Sequence, residues 1–412
     1  MKVLVVGSGG REHAIVWKLS QSQCDIFCAP GNAGISNLAT CLPIKAENIT
    51  GLIDFARKEK TDLTVVGPEV PLGLGIVDEF NKNNLKIFGP NLTAAQLETS
   101  KAFARNFCRK YGLPSPHFES FTNSTKAKSY LEYKNYPIVI KTSGLAAGKG
   151  AIIIKNKDEA FLTVERILDK KEFGSAGDTI IIEDFIQGQE VSMLAVCDGN
   201  TIIPLIPARD HKPLLDGNKG PNTGGMGSFA PIPDLTDKWL KKFQAELFDP
   251  MLKALKKENI EYKGIIYAGL IISGDKFYIL EFNCRWGDPE TEVILPLLKT
   301  DMISFCYDTI DGKLKNLDWK DGYALTVVAA SKGYPDKYET GKLITGNLEN
   351  KEDLMIFHCS TKQEHNNYYT AGGRVLTVTS VAKTLAQARE KAYHGLQDIT
   401  FDGIYFRTDI GQ

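Results

Sequence analysis

The first 98 residues alternate short apolar runs with stretches of helical periodicity, and this alternation constrains the fold more than any other feature of the chain. The apolar runs cover 3–6, 26–29, 63–66 and 86–88. Strands that alternate with helices pair in parallel, because each helix carries the chain back across the sheet. The order predicts an α/β fold with an N-terminal doubly wound parallel sheet, which binds its ligand at the carboxyl ends of the strands.

A glycine-rich turn follows the first of these strands, in the sequence LVVGSGGREHA at 4–14. A dinucleotide-binding turn needs a third glycine five residues after the first, and Glu12 stands at that position. A nicotinamide-dependent dehydrogenase is therefore disfavoured. We interpret the turn as an anion site at a helix N-terminus, where free amides favour a phosphate or carboxylate, and an ordinary tight turn is the alternative.

Charge and cysteine content limit the classes of partner. The chain has 412 residues, with 49 Lys and Arg against 50 Asp and Glu, so it has no basic field for nucleic acid or an anionic membrane. Its eight cysteines form no CxxC pair, and no stretch approaches the roughly 18 apolar residues of a membrane span. We expect a reduced, cytoplasmic protein that binds small molecules, as a monomer or a weak dimer.

A second glycine-rich segment, VIKTSGLAAGKGAIII at 139–154, differs from a P-loop in spacing. Three residues, not four, separate Gly144 from Gly148, and a β-branched run follows where a P-loop has a helix. We predict two strands joined by a glycine loop that folds over a triphosphate. Lys149 and the backbone amides would face the phosphates, and Lys141 would supply a fixed cation. The alternative is an ordinary surface hairpin.

The segment YILEFNCRWGDPE, 278–290, reads as a strand with one polar face. Strict alternation of side chains predicts two sets: Ile279, Glu281, Asn283 and Arg285 on one face, and Leu280, Phe282 and Cys284 on the other. Glu281 and Asn283 are hard oxygen ligands suited to Mg²⁺, and Arg285 could stabilise a transferring phosphoryl group. The alternative is a solvated face or a structural ion pair.

Two further segments give weaker signals. In EDFIQGQE, 183–190, the backbone of the strand end is placed to bind adenine, and Glu190 is placed to bind the ribose hydroxyls. The alternative is a solvated turn. The segment 209–227, with RDHK and GPNTGGMG, predicts a long glycine-rich loop in which Asn222 and Thr223 bind a ligand, and disorder is the alternative.

Taken in order along the chain, these motifs resemble the phosphoribosylamine–glycine ligase family of ATP-grasp enzymes. The motifs are VGSGGREHA, APGNAG, VGPEVPL, IFGP with SKAF, GLAAGKG, DHK with GPNTGGMG, EFNCRWGDPE and GGRVL. The resemblance implies ligation of glycine to 5-phosphoribosylamine, with ATP cleaved to ADP and phosphate through a glycyl phosphate, in purine biosynthesis. It also implies three domains: 1–98, an ATP-grasp domain of two α+β subdomains at 99–320 with a lid at 117–190, and a C-terminal α+β cap at 321–412.

The same resemblance implies roles for individual residues. Arg285 and Lys141 would be catalytic, and Glu281 and Asn283 would hold Mg²⁺ or Mn²⁺. ATP would be bound by Lys101, Lys141, Gly144, Gly148, Lys149, Gly150, Glu183 and Glu190. The other substrates would be bound by Gly9, Gly10, Arg11, Glu69, Asp210, Lys212, Asn222, Thr223, Gly224, Gly225, Asp288 and Arg374.

Two positions depart from the family pattern. Ser143 stands where the family usually has Asp, and Pro213 where it often has Arg. Neither belongs to the metal pair, so we expect an active enzyme. Two alternatives are an ATP-grasp ligase for a different carboxylate and amine, and a nucleotide-sensing protein without turnover.

Overall fold

The computed structural model describes residues 1–146 and 148–412, so Ala147 of the predicted 144–150 loop lies outside the described residues. The N-terminal strands are β1 (Lys2–Gly7), β2 (Asp25–Pro30), β3 (Thr40–Cys41), β4 (Leu63–Val66) and β5 (Ile87–Phe88). All pair in parallel, in the order β3-β2-β1-β4-β5. The predicted doubly wound sheet is confirmed, and the two-residue edge strand β3 is an addition to it.

Helices cover both faces of this sheet, which is why β1 and β4 are mostly apolar, with Lys2 and Thr64 as the exceptions. The helices are α1 (Gly10–Leu19), α2 (Ile49–Glu59), α3 (Glu69–Gly73), α4 (Ile76–Lys82) and α5 (Leu92–Thr99). Val3 and Val5 pack into one core, and Leu4 and Val6 into another on the opposite face. Burial on both faces removes the polar alternation that a half-exposed strand shows.

The next segment forms a small antiparallel sheet. Its helices are α6 (Lys101–Tyr111), α7 (Ser124–Leu131) and α8 (Lys157–Val164), and its strands are β6 (Phe118–Phe121), β7 (Ile138–Thr142), β8 (Ala151–Ile154) and β9 (Ile180–Asp184), in the order β6-β9-β7-β8. The predicted hairpin around the glycine loop is confirmed by the pairing of Lys141 with Ala151. The sequence over 94–111 alone predicts one helix, and this prediction is wrong, because Ser100 is extended and caps α6 by accepting a hydrogen bond from Phe103 N.

A larger antiparallel sheet follows. Its strands are β10 (Gln189–Asp198), β11 (Ile202–Pro204), β16 (Lys263–Ser273) and β17 (Lys276–Asn283), in the order β11-β10-β16-β17. The shorter strands between β11 and β16 are β12 (Arg209–Asp210), β13 (Pro213–Leu215), β14 (Lys219–Asn222) and β15 (Gly227–Ala230). The helices are α9 (Asp237–Phe243), α10 (Asp249–Lys257), α11 (Thr291–Leu297) and α12 (Met302–Ile310). The long loop predicted over 209–227 is therefore wrong for much of its length, since β13 and β14 form a hairpin there.

The last part of the chain completes a sheet that begins earlier. Its elements are β18 (Tyr323–Ser331), β19 (Leu343–Gly346), β20 (Leu354–His358), β21 (Thr361–Glu364), β22 (Asn367–Thr370), β23 (Arg374–Ala382), α13 (Leu385–Gln397), β24 (Ile399–Thr400) and β25 (Ile404–Tyr405). Strands β12 and β15 join β18, β23 and β20 in one six-stranded sheet, whose sixth strand, β25, pairs with β18. The sequence over 382–397 alone predicts one helix, but α13 begins only at Leu385, because β23 runs to Ala382 and Thr384 caps the helix.

Strand β17 contains a β-bulge that changes the predicted faces. Glu281 pairs with Gly269 and Ile279 with Leu270, which leaves Leu280 without a partner on β16. The extra residue resets the alternation. Ile279 therefore packs in the core with Phe282, and the prediction that Ile279 shares a face with Glu281 is wrong. Asn283 stays on the face of Glu281, because the bulge precedes both.

Among the described residues no helix has the length and apolar character needed to cross a membrane.

Candidate active site

Glu12 fills the turn at the carboxyl end of β1. Its Oε2 accepts hydrogen bonds from the amides of Ser8 (3.2 Å) and Gly9 (2.5 Å). Arg11 Nε lies 2.5 Å from its other oxygen. These amides were predicted to hold an anion of the substrate, and here they already hold a carboxylate of the chain. An incoming anion would have to displace Glu12 from them.

Glycines at the carboxyl ends of two neighbouring strands, β1 and β4, make room for this carboxylate. A Cβ at Gly67 would lie 1.9 Å from Glu12 Oε1, and one at Gly7 would lie 2.5 Å from Glu12 Cγ. Gly7 also has φ +128°, which a residue with a side chain rarely adopts. The glycine spacing shows only that Glu12 replaces a glycine. That its carboxylate binds the amides of the turn becomes visible in the structure.

Glu281 lies among cations at the end of β17. Burial alone would raise the pKa of its carboxyl, but the charges of Lys212, Lys101, Lys141 and Arg285 outweigh it and hold the pKa at about 2. Lys212 Nζ is 3.7 Å from Glu281 Oε1 and also 3.7 Å from Glu190 Oε2. The site therefore joins an ionised carboxylate to several positive groups, as a site for a metal–phosphate complex requires.

Glu281 and Asn283 fit a divalent cation only as a partial ligand set. Within 1–146 and 148–412, no group of three or more His, Cys, Asp and Glu side chains is arranged to hold a metal. Magnesium commonly takes one or two protein oxygens and completes its shell with water and phosphate oxygens. A carboxylate and an amide oxygen suit that arrangement.

Arg285 connects the metal pair to the N-terminal sheet. Its Nε donates to Glu69 Oε2 at 3.1 Å, and its NH2 lies 3.3 Å from Glu98 Oε1. Burial would raise the pKa of Glu69, but the guanidinium groups of Arg285 and Arg11 lower it to about 2. Glu98, which the sequence reasoning missed, also accepts a hydrogen bond from Cys284 N at 2.7 Å.

Lys141 is buried and makes two contacts. Its Nζ lies 2.8 Å from Glu183 Oε2 and donates to Leu280 O at 2.8 Å. Glu183 is itself buried and also contacts Arg105, which the sequence reasoning missed. Glu183 thus faces two cations of the chain, whereas Glu190 is half exposed near Lys212.

Residues around the glycine loop lie at two places. Lys101 Nζ donates to Gly144 O at 3.4 Å, and Ser143 Oγ accepts from Ala102 N at 3.2 Å, at the start of α6. Lys149 Nζ instead donates to Pro335 O at 3.3 Å, on the C-terminal part of the chain. Gly150 is required by packing, since a Cβ there would lie 2.3 Å from Thr142 Oγ1.

Arg374 gathers the remaining predicted substrate residues. Its NH1 donates to Gly224 O at 2.7 Å and lies 2.9 Å from Asp288 Oδ1. Gly224 N donates to Tyr334 OH at 2.9 Å. Thr223 and Asp210 lie in the same group. Thr223 Oγ1 accepts a hydrogen bond from Gly225 N, and a Cβ at Gly225 would lie 2.7 Å from Asp210 Oδ1. Asn222, by contrast, is exposed on β14.

Comparison with known proteins gives matches along most of the chain. Models described as phosphoribosylglycinamide synthetase match it domain by domain: the N domain at 1–98, the ATP-grasp (A) domain at 99–291 and the C domain at 324–412.

Individual relatives match over the full length of the chain. Proteins named phosphoribosylamine–glycine ligase are 48% identical in Fusobacterium nucleatum and 47% in Caldanaerobacter subterraneus, with 100% of this chain and 98% and 99% of the relatives covered. A trifunctional purine biosynthetic protein of Gallus gallus is 45% identical, and the match covers 100% of this chain and 42% of that protein.

Solved structures match as well. The crystal structure of the ligase of the same name from Thermotoga maritima has a TM-score of 0.90 at 34% identity, with both chains fully covered. Biotin carboxylase from Campylobacter jejuni has a TM-score of 0.76 at 16% identity, over 98% of this chain and 92% of that one, and shares the fold.

Proposed function

The chain belongs to the phosphoribosylglycinamide synthetase family, and from that membership we propose which residues carry out its reaction. The protein is a carbon–nitrogen ligase of purine biosynthesis. It joins glycine to 5-phosphoribosylamine and cleaves ATP, and the products are glycinamide ribonucleotide, ADP and phosphate. The observation that carries the assignment of residues is the ionised Glu281 beside Asn283, with Lys101, Lys141, Lys212 and Arg285 around it.

ATP binds between two sheets. One is the small antiparallel sheet of β6, β9, β7 and β8, which we call the lid sheet, and the other is the sheet that contains β17. Lys141 and Lys101 contact its phosphates, Gly144, Gly148 and Gly150 lie over them, and Glu190 meets the ribose. Glu281 and Asn283 hold the divalent metal that the ATP-grasp family uses, as Mg²⁺ or Mn²⁺. Once bound, the metal neutralises phosphate charge.

The reaction has two displacement steps. A carboxylate oxygen of glycine attacks the γ-phosphorus and ADP leaves, which gives glycyl phosphate. The amine nitrogen of phosphoribosylamine then attacks the carbonyl carbon, phosphate leaves and the nitrogen loses a proton. Arg285 stabilises charge on the transferring phosphoryl group. No protein nucleophile is needed, so positioning and electrostatics supply the rate.

Phosphoribosylamine binds at the carboxyl ends of β1 and β4 and against the C-terminal sheet. Gly10, Arg11 and Glu69 contact it on the first side, and Gly9 lies beside it with its amide still bound to Glu12. Asp288, Arg374 and the segment 222–225, with Asp210 and Lys212, contact it or glycine on the second. The ion pair between Glu69 and Arg285 supports this placement, since it joins the carboxyl end of β4 to the arginine assigned to the transferring phosphoryl group. A cytoplasmic location and a monomeric or weakly dimeric state stay predictions.

Phosphate release with single omissions tests this function. Purified protein receives Mg-ATP, glycine and freshly made phosphoribosylamine, and each is left out in turn. We expect release only with all three, and glycinamide ribonucleotide in the mass spectrum. Release that ignores glycine or phosphoribosylamine would contradict the substrate assignment and leave the ATP chemistry intact.

A further inference from the structure

Arg105 joins the lid sheet to the strand that carries the metal pair, and we propose that it positions Lys141 for the phosphates of ATP. The residue lies on α6 and is only 3% exposed. It belongs to none of the motifs above. The proposal rests on the proposed function, because that function gives Lys141 its ligand.

The first set of contacts fixes the lid strand β9. Arg105 Nε donates to Glu183 Oε1, and its NH2 donates to Glu183 Oε2 at 3.1 Å. A bidentate guanidinium fixes the plane of a carboxylate, which a point charge cannot do. Lys141 Nζ lies 2.8 Å from the same Oε2. The orientation of Glu183, and with it the place of the ammonium group, therefore depends on Arg105.

The second set of contacts fixes the bulge of β17. Arg105 NH1 donates to Ile279 O at 2.9 Å, and its NH2 donates to Leu280 O at 2.6 Å. Lys141 Nζ donates to the same Leu280 O at 2.8 Å. Leu280 is the residue without a partner on β16, so its carbonyl is available to both cations. Glu281 is the next residue along the strand.

Arg105 and Lys141 thus share two acceptors, one on each sheet. An ammonium group has three N–H donors, and Glu183 and Leu280 use two of those of Lys141. With two fixed, the direction of the third is fixed as well, and this donor remains for a phosphate oxygen. Without Arg105, Glu183 is free to turn and pair with Lys141 alone, which draws the ammonium group away from the nucleotide.

The test is binding of Mg²⁺ with a non-hydrolysable ATP analogue, measured by calorimetry without glycine or phosphoribosylamine. We expect Arg105→Gln to raise the dissociation constant about 10- to 100-fold, the range known for loss of residues that orient metal ligands. The KM values for glycine and phosphoribosylamine should stay near those of the unchanged protein. Arg105→Lys keeps a buried cation but not the bidentate grip, so it should give an intermediate constant, and it provides the measurement if the Gln variant does not fold.

Arg109→Gln is the matched control, on the same helix one turn later. Arg109 is exposed and contacts Glu119 and Asn106 at the surface, so its loss should leave analogue binding unchanged. Unchanged binding in both Arg105 variants, with only a lower melting temperature, would overturn the proposal and leave Arg105 a structural residue. No binding to the unchanged protein would instead overturn the proposed function itself.

Discussion

Replacement of Gly67 by Ala tests whether Glu12 is locked into its turn. The added Cβ would lie 1.9 Å from Glu12 Oε1, 2.6 Å from its Cδ and 2.7 Å from its Cγ, far inside normal contact. Glu12 is 2% exposed, and Gly7 closes its other side, so the side chain has no free volume to enter. The carboxylate must therefore leave the amides of Ser8 and Gly9.

The magnitude follows from what the carboxylate leaves behind. Two half-buried amides lose a charged acceptor. Hydrogen bonds to charged groups contribute about 1.5 to 3 kcal/mol each before the amides find other partners. Gly67→Ala also gains about 0.4 to 1 kcal/mol, because alanine restricts the unfolded chain. We expect a net loss of about 2 to 4 kcal/mol in the free energy of unfolding, measured from urea curves at neutral pH.

A double-mutant cycle separates this steric mechanism from a general packing defect. In a chain that already carries Glu12→Ala, the Cβ at position 67 meets no carboxylate, so Gly67→Ala should be neutral or slightly stabilising. The two substitutions should couple by about 2 kcal/mol or more, at the upper end for contacting residues. Equal cost of Gly67→Ala in both backgrounds would show that the Cβ does not act through Glu12, and a Gly67→Ala protein as stable as the original would show that there is no clash.

Three further predictions concern Glu281, Ser143 and the buried histidines His13 and His358. Glu281→Gln should reduce phosphate release by about 10³-fold while circular dichroism still shows a folded protein, since the side chain lines the site and does not pack in the core. Loss of the fold together with activity would contradict this. Ser143→Asp should raise the free energy of unfolding by about 0.3 to 1 kcal/mol. The side chain at this position accepts a hydrogen bond from Ala102 N at the N-terminus of α6, where a carboxylate is favoured. An unchanged or lower urea midpoint would argue against that contact. Burial lowers the pKa of His358 to about 4, and burial together with the charge of His358 lowers the pKa of His13. Below the ordinary histidine pKa of 6.5 the unfolded chain therefore binds more protons than the folded chain, so the free energy of unfolding should fall as pH drops from about 6.5 to about 4. His358→Asn should flatten that dependence in urea curves recorded at several pH values.

The sequence predicted those elements whose pattern is local. The strands of the parallel sheet were predictable because burial on both faces leaves continuous apolar runs, and the hairpin over 138–154 because glycines mark its turn. The face of Glu281 and Asn283 followed from alternation, and they share a face because the bulge at Leu280 lies before both. The position of Ile279 failed for the same reason, since a bulge depends on the pairing of two strands and has no signal in one of them.

The residues that hold the site together were harder to predict. Arg105 and Glu98 lie on helices where a charged residue reads as solvent-facing, and only the packing of those helices against β17 shows that they are buried. The sequence shows that Glu12 breaks the dinucleotide-binding fingerprint. Its contacts, however, lie on the turn after β1, at Gly7 and at Gly67 after β4, which a local pattern does not bring together. Short strands such as β12 and β15 have no periodicity to detect, and their partners lie far away in the sequence.

The mixed sheet that takes β12 and β15 from one part of the chain and β18, β23 and β20 from another sets the order in which the site can mature during synthesis. Strand β15 emerges from the ribosome well before Tyr323–Ser331, its partner, so its edge stays open until the last quarter of the protein has been made. The glycine-rich segment just before β15 gains its contacts with Tyr334 and Arg374 later still. A nascent chain can therefore complete the nucleotide half of the site before the half that receives the second substrate.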